Sequence, residues 1–147
     1  MTDINTIDIL LVEDNPHDAE LTMRTLKKNH VANRIYVVAD GEEALDFLYC
    51  KGQYLKRSNH YPKVIFLDIK LPKLNGLEVL KIIKSDEHLR HIPVVMLTSS
   101  VEDPDIKAAY SLGANSYVVK PVDFENFSKT INSLDMYWLV VNQPPKQ

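Results

Sequence analysis

Apolar runs punctuate the chain at residues 7–12, 35–38, 64–67, 94–97 and 117–119, and each is followed by a stretch in which apolar positions recur at helical spacing. Apart from Asp8 in the first, the runs are apolar rather than alternating, so they predict strands covered on both faces, as in a parallel sheet between two helical layers. Five βα repeats give an α/β class. Helix starts are marked by Asn15 with Pro16, Asp103 with Pro104, and Asp123 before Phe124: each acid or amide can cap, and each proline falls where a missing N–H costs nothing. Ala19, Thr22, Met23 and Leu26 then form one buried face of the first helix. Gly113 marks the end of the fourth. In the last helix Phe124, Phe127, Ile131, Leu134, Trp138 and Val141 make a continuous stripe, and Met136, Tyr137, Leu139 and Val140 make its far end apolar on the other faces too. Such an end is expected to be covered, by a second copy of the chain or, alternatively, by folding back on its own domain.

With 147 residues, 45% hydrophobic and 25% charged, the chain is sized for one globular domain over 1–147. A net charge of -3 supplies no basic field for nucleic acid or an anionic membrane. Cys50 is the sole cysteine, which excludes an internal disulfide. There is no signal-peptide pattern and no apolar run near the ~20 residues that span a bilayer, so a cytoplasmic protein is expected. No helix-turn-helix pattern follows residue 123, so the output is expected to pass through protein contacts. Residues 51–61 form a basic stretch longer than the connection requires, expected as a solvated loop, with docking to an acidic patch on a partner protein as the alternative.

The chemistry begins where VIFLDIKLPKLNG, residues 64–76, breaks its apolar run with Asp68. In a parallel sheet, reactive groups collect beyond the carboxyl ends of the strands. Those ends deliver Glu13 and Asp14, then Asp68, then Thr98, then Lys120 with Pro121. Three carboxylates brought together repel unless a cation joins them, and oxygen ligands without His or Cys select a hard ion such as Mg2+. Lys120 adds a point charge and Thr98 a hydroxyl. Together they suit a phosphoryl group, with Asp68 as the oxygen nucleophile that receives it.

LLVEDN, FLDIKLPKLNG, VVMLTSS and GANSYVVKP, in this order, resemble the receiver domain of two-component response regulators. The resemblance runs from about residue 7 to 134 and leaves 135–147 as a helical extension and polar tail. It implies a flavodoxin-like (βα)5 fold with strand order 2-1-3-4-5, and a signalling protein, not an enzyme with a separate substrate, that catalyses its own phosphorylation and dephosphorylation. Asp68 would be the phosphoacceptor, fed by the phosphohistidine of a sensor histidine kinase. Mg2+, or Mn2+ in its place, would be held by Asp14, Asp68 and the main-chain carbonyl of Lys70, with Glu13 acting through water. Thr98 and Lys120 would contact the phosphoryl group, and Thr98 with Tyr117 would form the switch that alters the fourth helix and fifth strand. The Lys120–Pro121 bond would be cis. DFLYCKGQY, SDEHLRHIPVVMLT and the late MYWL resemble the stand-alone regulators paired with bacterial phytochrome kinases, and a homodimer through helix 4, strand 5, helix 5 and the extension is expected.

Rival readings fit less well. A haloacid-dehalogenase-type phosphatase needs a second Asp where Lys70 stands, and a flavodoxin needs a hydroxyl- and glycine-rich loop where EDNPHD would repel the flavin phosphate. A degenerate receiver that only binds proteins would keep the residues without the turnover.

Overall fold

The computed structural model describes residues 7–28, 34–58, 60–100 and 103–133, without the side chains of Phe124 and Ile131. The apolar extension beyond residue 133, with Leu134, Trp138 and Val141, lies outside the described residues. Five strands, β1 (Ile9–Val12), β2 (Ile35–Val38), β3 (Val64–Asp68), β4 (Val94–Thr98) and β5 (Ser116–Val119), pair in parallel in the order β2-β1-β3-β4-β5. Helices α1 (Pro16–Lys28), α2 (Gly41–Tyr49), α3 (Gly76–Ser85), α4 (Asp105–Ser111) and α5 (Phe124–Ser133) alternate with them. This is the expected flavodoxin-like sheet. The non-alternating runs have the predicted cause: every residue of β1, β3 and β4 is buried, while the edge strands β2 and β5 are only partly so.

Burial divides cleanly between the two faces. Leu10, Val12, Ile65, Leu67, Val94 and Met96 pack with Val79, Leu80 and Ile83 of α3 and with Phe47 of α2. Ile9, Leu11, Phe66, Val95 and Leu97 pack on the other face with Ala19 and Leu26 of α1 and Phe127 of α5. Since successive strand residues point to opposite faces, each short strand feeds both layers at once.

The helix boundaries follow local chemistry. Asn15 Oδ1 accepts from the backbone N–H groups of His17 and Asp18 at 2.9 and 3.0 Å, and Pro16 opens α1 as expected. Asp123 Oδ1 accepts from Asn126 N at 2.8 Å at the start of α5. Gly113 takes the left-handed conformation, φ 106°, just past α4. The fourth helix departs from expectation by starting at Asp105, after Pro104 rather than with it. Asp103 still caps it, accepting from Asp105 N at 2.9 Å.

The basic stretch after α2 is largely exposed, as expected, but two of its side chains are anchored. Arg57 is buried, donates to the Phe47 carbonyl at 3.0 and 2.8 Å, and lays its guanidinium 4.0 Å from the Phe47 ring. Tyr54, also buried, donates to Glu43 at 2.6 Å. Arginine's planar fork allows it to satisfy a helix-end carbonyl and stack on an aromatic face at once, which lysine cannot do. The segment is thereby fixed to the end of α2.

Candidate functional site

Parallel register brings the candidate site residues to one edge. Val12 pairs with Leu67, Asp68 with Leu97, and Thr98 with Val119, so β1, β3, β4 and β5 end together. Asp68 and Thr98 are the last residues of their strands, and Glu13 and Lys120 the first beyond theirs. The ladder continues through both: Glu13 N donates to the Val38 carbonyl at 3.0 Å and Lys120 N to the Thr98 carbonyl at 2.7 Å. The charged side chains therefore leave a rigid backbone.

Lys120 Nζ lies 2.9 Å from Asp68 Oδ2, 3.0 Å from Glu13 Oε1 and 3.3 Å from Asp18 Oδ2. The Glu13 and Asp68 side chains are 0% and 5% exposed, so these contacts operate with little screening. Burial, together with proton sharing and repulsion from Asp68, pushes the Glu13 carboxyl up to about 7, outweighing the opposite pull of Lys120. Burial alone would lower the Lys120 amine, but its bonds to Asp68 and Glu13 hold it above the ordinary lysine range. The Lys120–Pro121 bond is cis, as expected.

Asp14, Glu13 and Asp68 each place an oxygen so that all three lie within 4.8 Å of one another. One ammonium set against Glu13, Asp14, Asp18 and Asp68 leaves an excess of negative charge. Oxygen donors alone, with Asp14 exposed to solvent, fit a hard divalent cation that retains water. Asp68 Oδ1 accepts from Lys70 N at 3.1 Å, which fixes the carboxylate's orientation, while the Lys70 side chain extends to Asp105 at 3.6 Å. An open pocket of about 370 Å³ lies between Asp14, the turn from Ile69 to Pro72, Asn75 and Asp105. It gives an incoming group access to the same edge.

Thr98 is buried at this edge, but its hydroxyl bonds run to the Ser100 carbonyl at 3.1 Å and to Asp103 Oδ2 at 3.2 Å. The half-buried Tyr117 ring packs edge-on against Tyr110 of α4, with centroids 6.2 Å apart. The two expected switch residues thus occupy adjacent strands, each bound to the start or flank of α4.

Three contributors escaped the sequence reading. Asp18 reads as an acid favoured by the α1 dipole, and only the docking of α1 over the strand ends takes it to Lys120. Asp103 reads as a helix cap; its second oxygen reaches Thr98. Gly76 opens α3 behind an Asn75–Glu78 capping box, and a Cβ there would sit 2.2 Å from the Asp68 carbonyl oxygen and 2.8 Å from Ile69 Cα. The asparagine followed by glycine after LPKL was the available signal for that last one.

Comparison with known proteins gives one answer. The response regulator receiver domain model matches residues 9–132. The probable methanogenesis regulatory protein FilR2 of Methanothrix harundinacea is 43% identical over 93% of this chain and 86% of its own. Among solved structures, the bacteriophytochrome response regulator AtBRR is 52% identical with a TM-score of 0.85, covering 94% of this chain and 99% of the other. The Mn2+-bound form of the response regulator Rcp1 is 36% identical with a TM-score of 0.73, covering 94% and 98%. The family model covers nearly the whole sheet and its helices, and relatives above 40% identity span the same length, so this chain belongs to the response regulator receiver domain family.

Proposed function

We propose that the protein accepts a phosphoryl group on Asp68 from the phosphohistidine of a sensor histidine kinase and passes the signal on through protein contacts. The observation that carries this is the arrangement of Lys120 between Asp68 and Glu13, beside the oxygen trio of Glu13, Asp14 and Asp68. A carboxylate oxygen of Asp68 forms the new O–P bond as the donor's P–N bond breaks, and the imidazole, protonated on its other nitrogen, leaves neutral with the bonding pair. Lys120 supplies positive charge to the phosphoryl oxygens and Thr98 a hydroxyl donor, so rate comes from positioning and charge rather than from a separate base. Asp14, Asp68 and the Lys70 main-chain carbonyl would hold Mg2+, with Glu13 acting through water; the bound ion supplies further charge neutralisation, and Mn2+ can take its place. Hydrolysis of the aspartyl phosphate by water at the same edge returns the protein to its resting state.

Similarity to AtBRR supports a phytochrome-type kinase as the donor. Phosphorylation is read out when Thr98 turns toward the phosphoryl group and Tyr117 follows, altering α4 and β5. With the apolar residues from Met136 to Val141, the 46% exposed Tyr110 beside Tyr117 supports a homodimer through α4, β5, α5 and the extension. Light scattering at tens of micromolar should find dimers that increase with a phosphoryl mimic; a monomer in both states would overturn that interface.

The phosphoacceptor is tested with radiolabelled acetyl phosphate. Wild-type protein should take one label with Mg2+ and none with chelator, and Asp68→Asn should take none. Label retained by Asp68→Asn, or under chelation, would overturn the assignment. A wild type that takes no label while binding a histidine kinase would favour a receiver used only for protein contacts.

A further inference from the structure

We propose that Asp103 is a positioning residue that withholds the Thr98 hydroxyl from Asp68 and so sets how readily the site takes a phosphoryl group. The proposal rests on the reading of Asp68 as phosphoacceptor. Thr98 has one hydroxyl proton, and the structure offers it two acceptors, the Ser100 carbonyl at 3.1 Å and Asp103 Oδ2 at 3.2 Å. A phosphoryl oxygen on Asp68 would need that same proton. Hydrogen bonds to a charged acceptor are the stronger kind, and at a residue 1% exposed the competition from water is small. Asp103 is therefore a direct competitor for the donor on which the phosphorylated state depends.

The other half of Asp103 is equally committed. Its Oδ1 accepts from Asp105 N at 2.9 Å, and its carbonyl accepts from Ile106 N at 3.1 Å, so the residue holding Thr98 is also the one that starts α4. Asp105, one residue into that helix, is tied to Lys70 of the turn after β3. Departure of the Thr98 proton removes one of the two ties on the Asp103 carboxylate, and the consequence falls on the first turn of α4. A helix of only seven residues has little internal bonding with which to resist.

Asparagine at this position is nearly isosteric and an equally good cap, so its amide oxygen can keep the bond to Asp105 N. The amide nitrogen then faces Thr98, and it donates rather than accepts. Asp103→Asn should therefore leave the hydroxyl only the neutral, weaker Ser100 carbonyl as acceptor, without dismantling the helix start.

The test is a titration of the full chain with beryllofluoride in the presence of Mg2+, followed by NMR, for wild type and Asp103→Asn, each with Thr98 intact and with Thr98→Ala. Asp103→Asn should bind the mimic at least about five-fold more tightly when Thr98 is present. In the Thr98→Ala background the same substitution should change affinity less than about two-fold, because no proton remains to be withheld. No tightening with Thr98 present overturns the proposal. Equal tightening in both backgrounds also overturns it, since removal of a nearby negative charge would then suffice. Should Asp103→Asn fail to fold, Asp103→Ser, which still caps the helix, carries the same two expectations. A wild type that binds no beryllofluoride overturns the phosphoacceptor reading itself, whereas a wild type that binds it and an indifferent Asp103→Asn overturn only the role of Asp103.

Discussion

Lys120→Met should destabilise the metal-free protein by about 3–5 kcal/mol at pH 8, the range for removing one partner of a buried ion pair. The part of that loss due to Glu13 should disappear at pH 5. The lysine stands between the Glu13 and Asp68 carboxylates, and its removal leaves those two, with Asp18 nearby, without their shared cation. The sign of the pH dependence follows from Glu13. Its carboxyl holds a proton up to about 7 in the folded state, against an ordinary value of 4.5, so the folded protein favours the protonated acid. The stability associated with that proton is complete below about 4.5 and is lost as the pH rises through 7. Without Lys120 the acid gains no compensating partner on ionising, and the penalty at pH 8 deepens. Urea unfolding in chelator at the two pH values measures this, and Mg2+ should return part of the loss at pH 8. A cost that is the same at pH 5 and pH 8 would mean that Lys120 acts through packing rather than charge.

Gly76→Ala should be nearly as severe, although it adds one methyl group. The new Cβ would stand 2.2 Å from the Asp68 carbonyl oxygen and 2.8 Å from Ile69 Cα, and these are backbone atoms with no rotamer to yield. Either α3 withdraws or the end of β3 shifts. The first breaks the bond from Gly76 N to the Ile69 carbonyl, and the second moves Asp68 relative to Lys120. A cost of about 1–3 kcal/mol or more is expected from overpacking a closed contact. Asp68 labelling by acetyl phosphate should slow at least about ten-fold, since misplacement on the order of 1 Å has effects of that size or larger. A variant that melts and labels like wild type would show that the helix start and strand end are not locked together.

Much of this was legible from the chain because burial writes directly into composition. The apolar runs identified the buried strands, and their breaks at Asp68, Thr98 and Lys120 marked the edge at which the candidate site residues gather. The order of the strands came from the family resemblance, since periodicity fixes faces but not neighbours. What stayed hidden was side-chain reach between elements. Asp18 and Asp103 each have a sufficient local reason to exist, as a first-turn acid and a cap, and local sufficiency conceals the second partner. Gly76 was only half legible: Asn75 before glycine marks a helix start, but nothing in a sequence says which backbone another backbone will approach. Arg57 misled in the opposite direction, its charge suggesting solvent while its guanidinium closes the end of α2.

The distances in sequence between the site's members carry one further consequence. Lys120 meets Asp68 across 52 positions and Glu13 across 107, and the meeting requires β1, β3 and β5 to have joined one sheet. In a nascent or partly unfolded chain these charges are scattered, and Asp68 is an ordinary carboxylate with nothing to draw a phosphoryl group to it. On the proposed function, competence to accept a phosphoryl group exists only once β1, β3 and β5 share one sheet, so a phosphodonor would discriminate finished molecules from unfinished ones without any separate act of inspection.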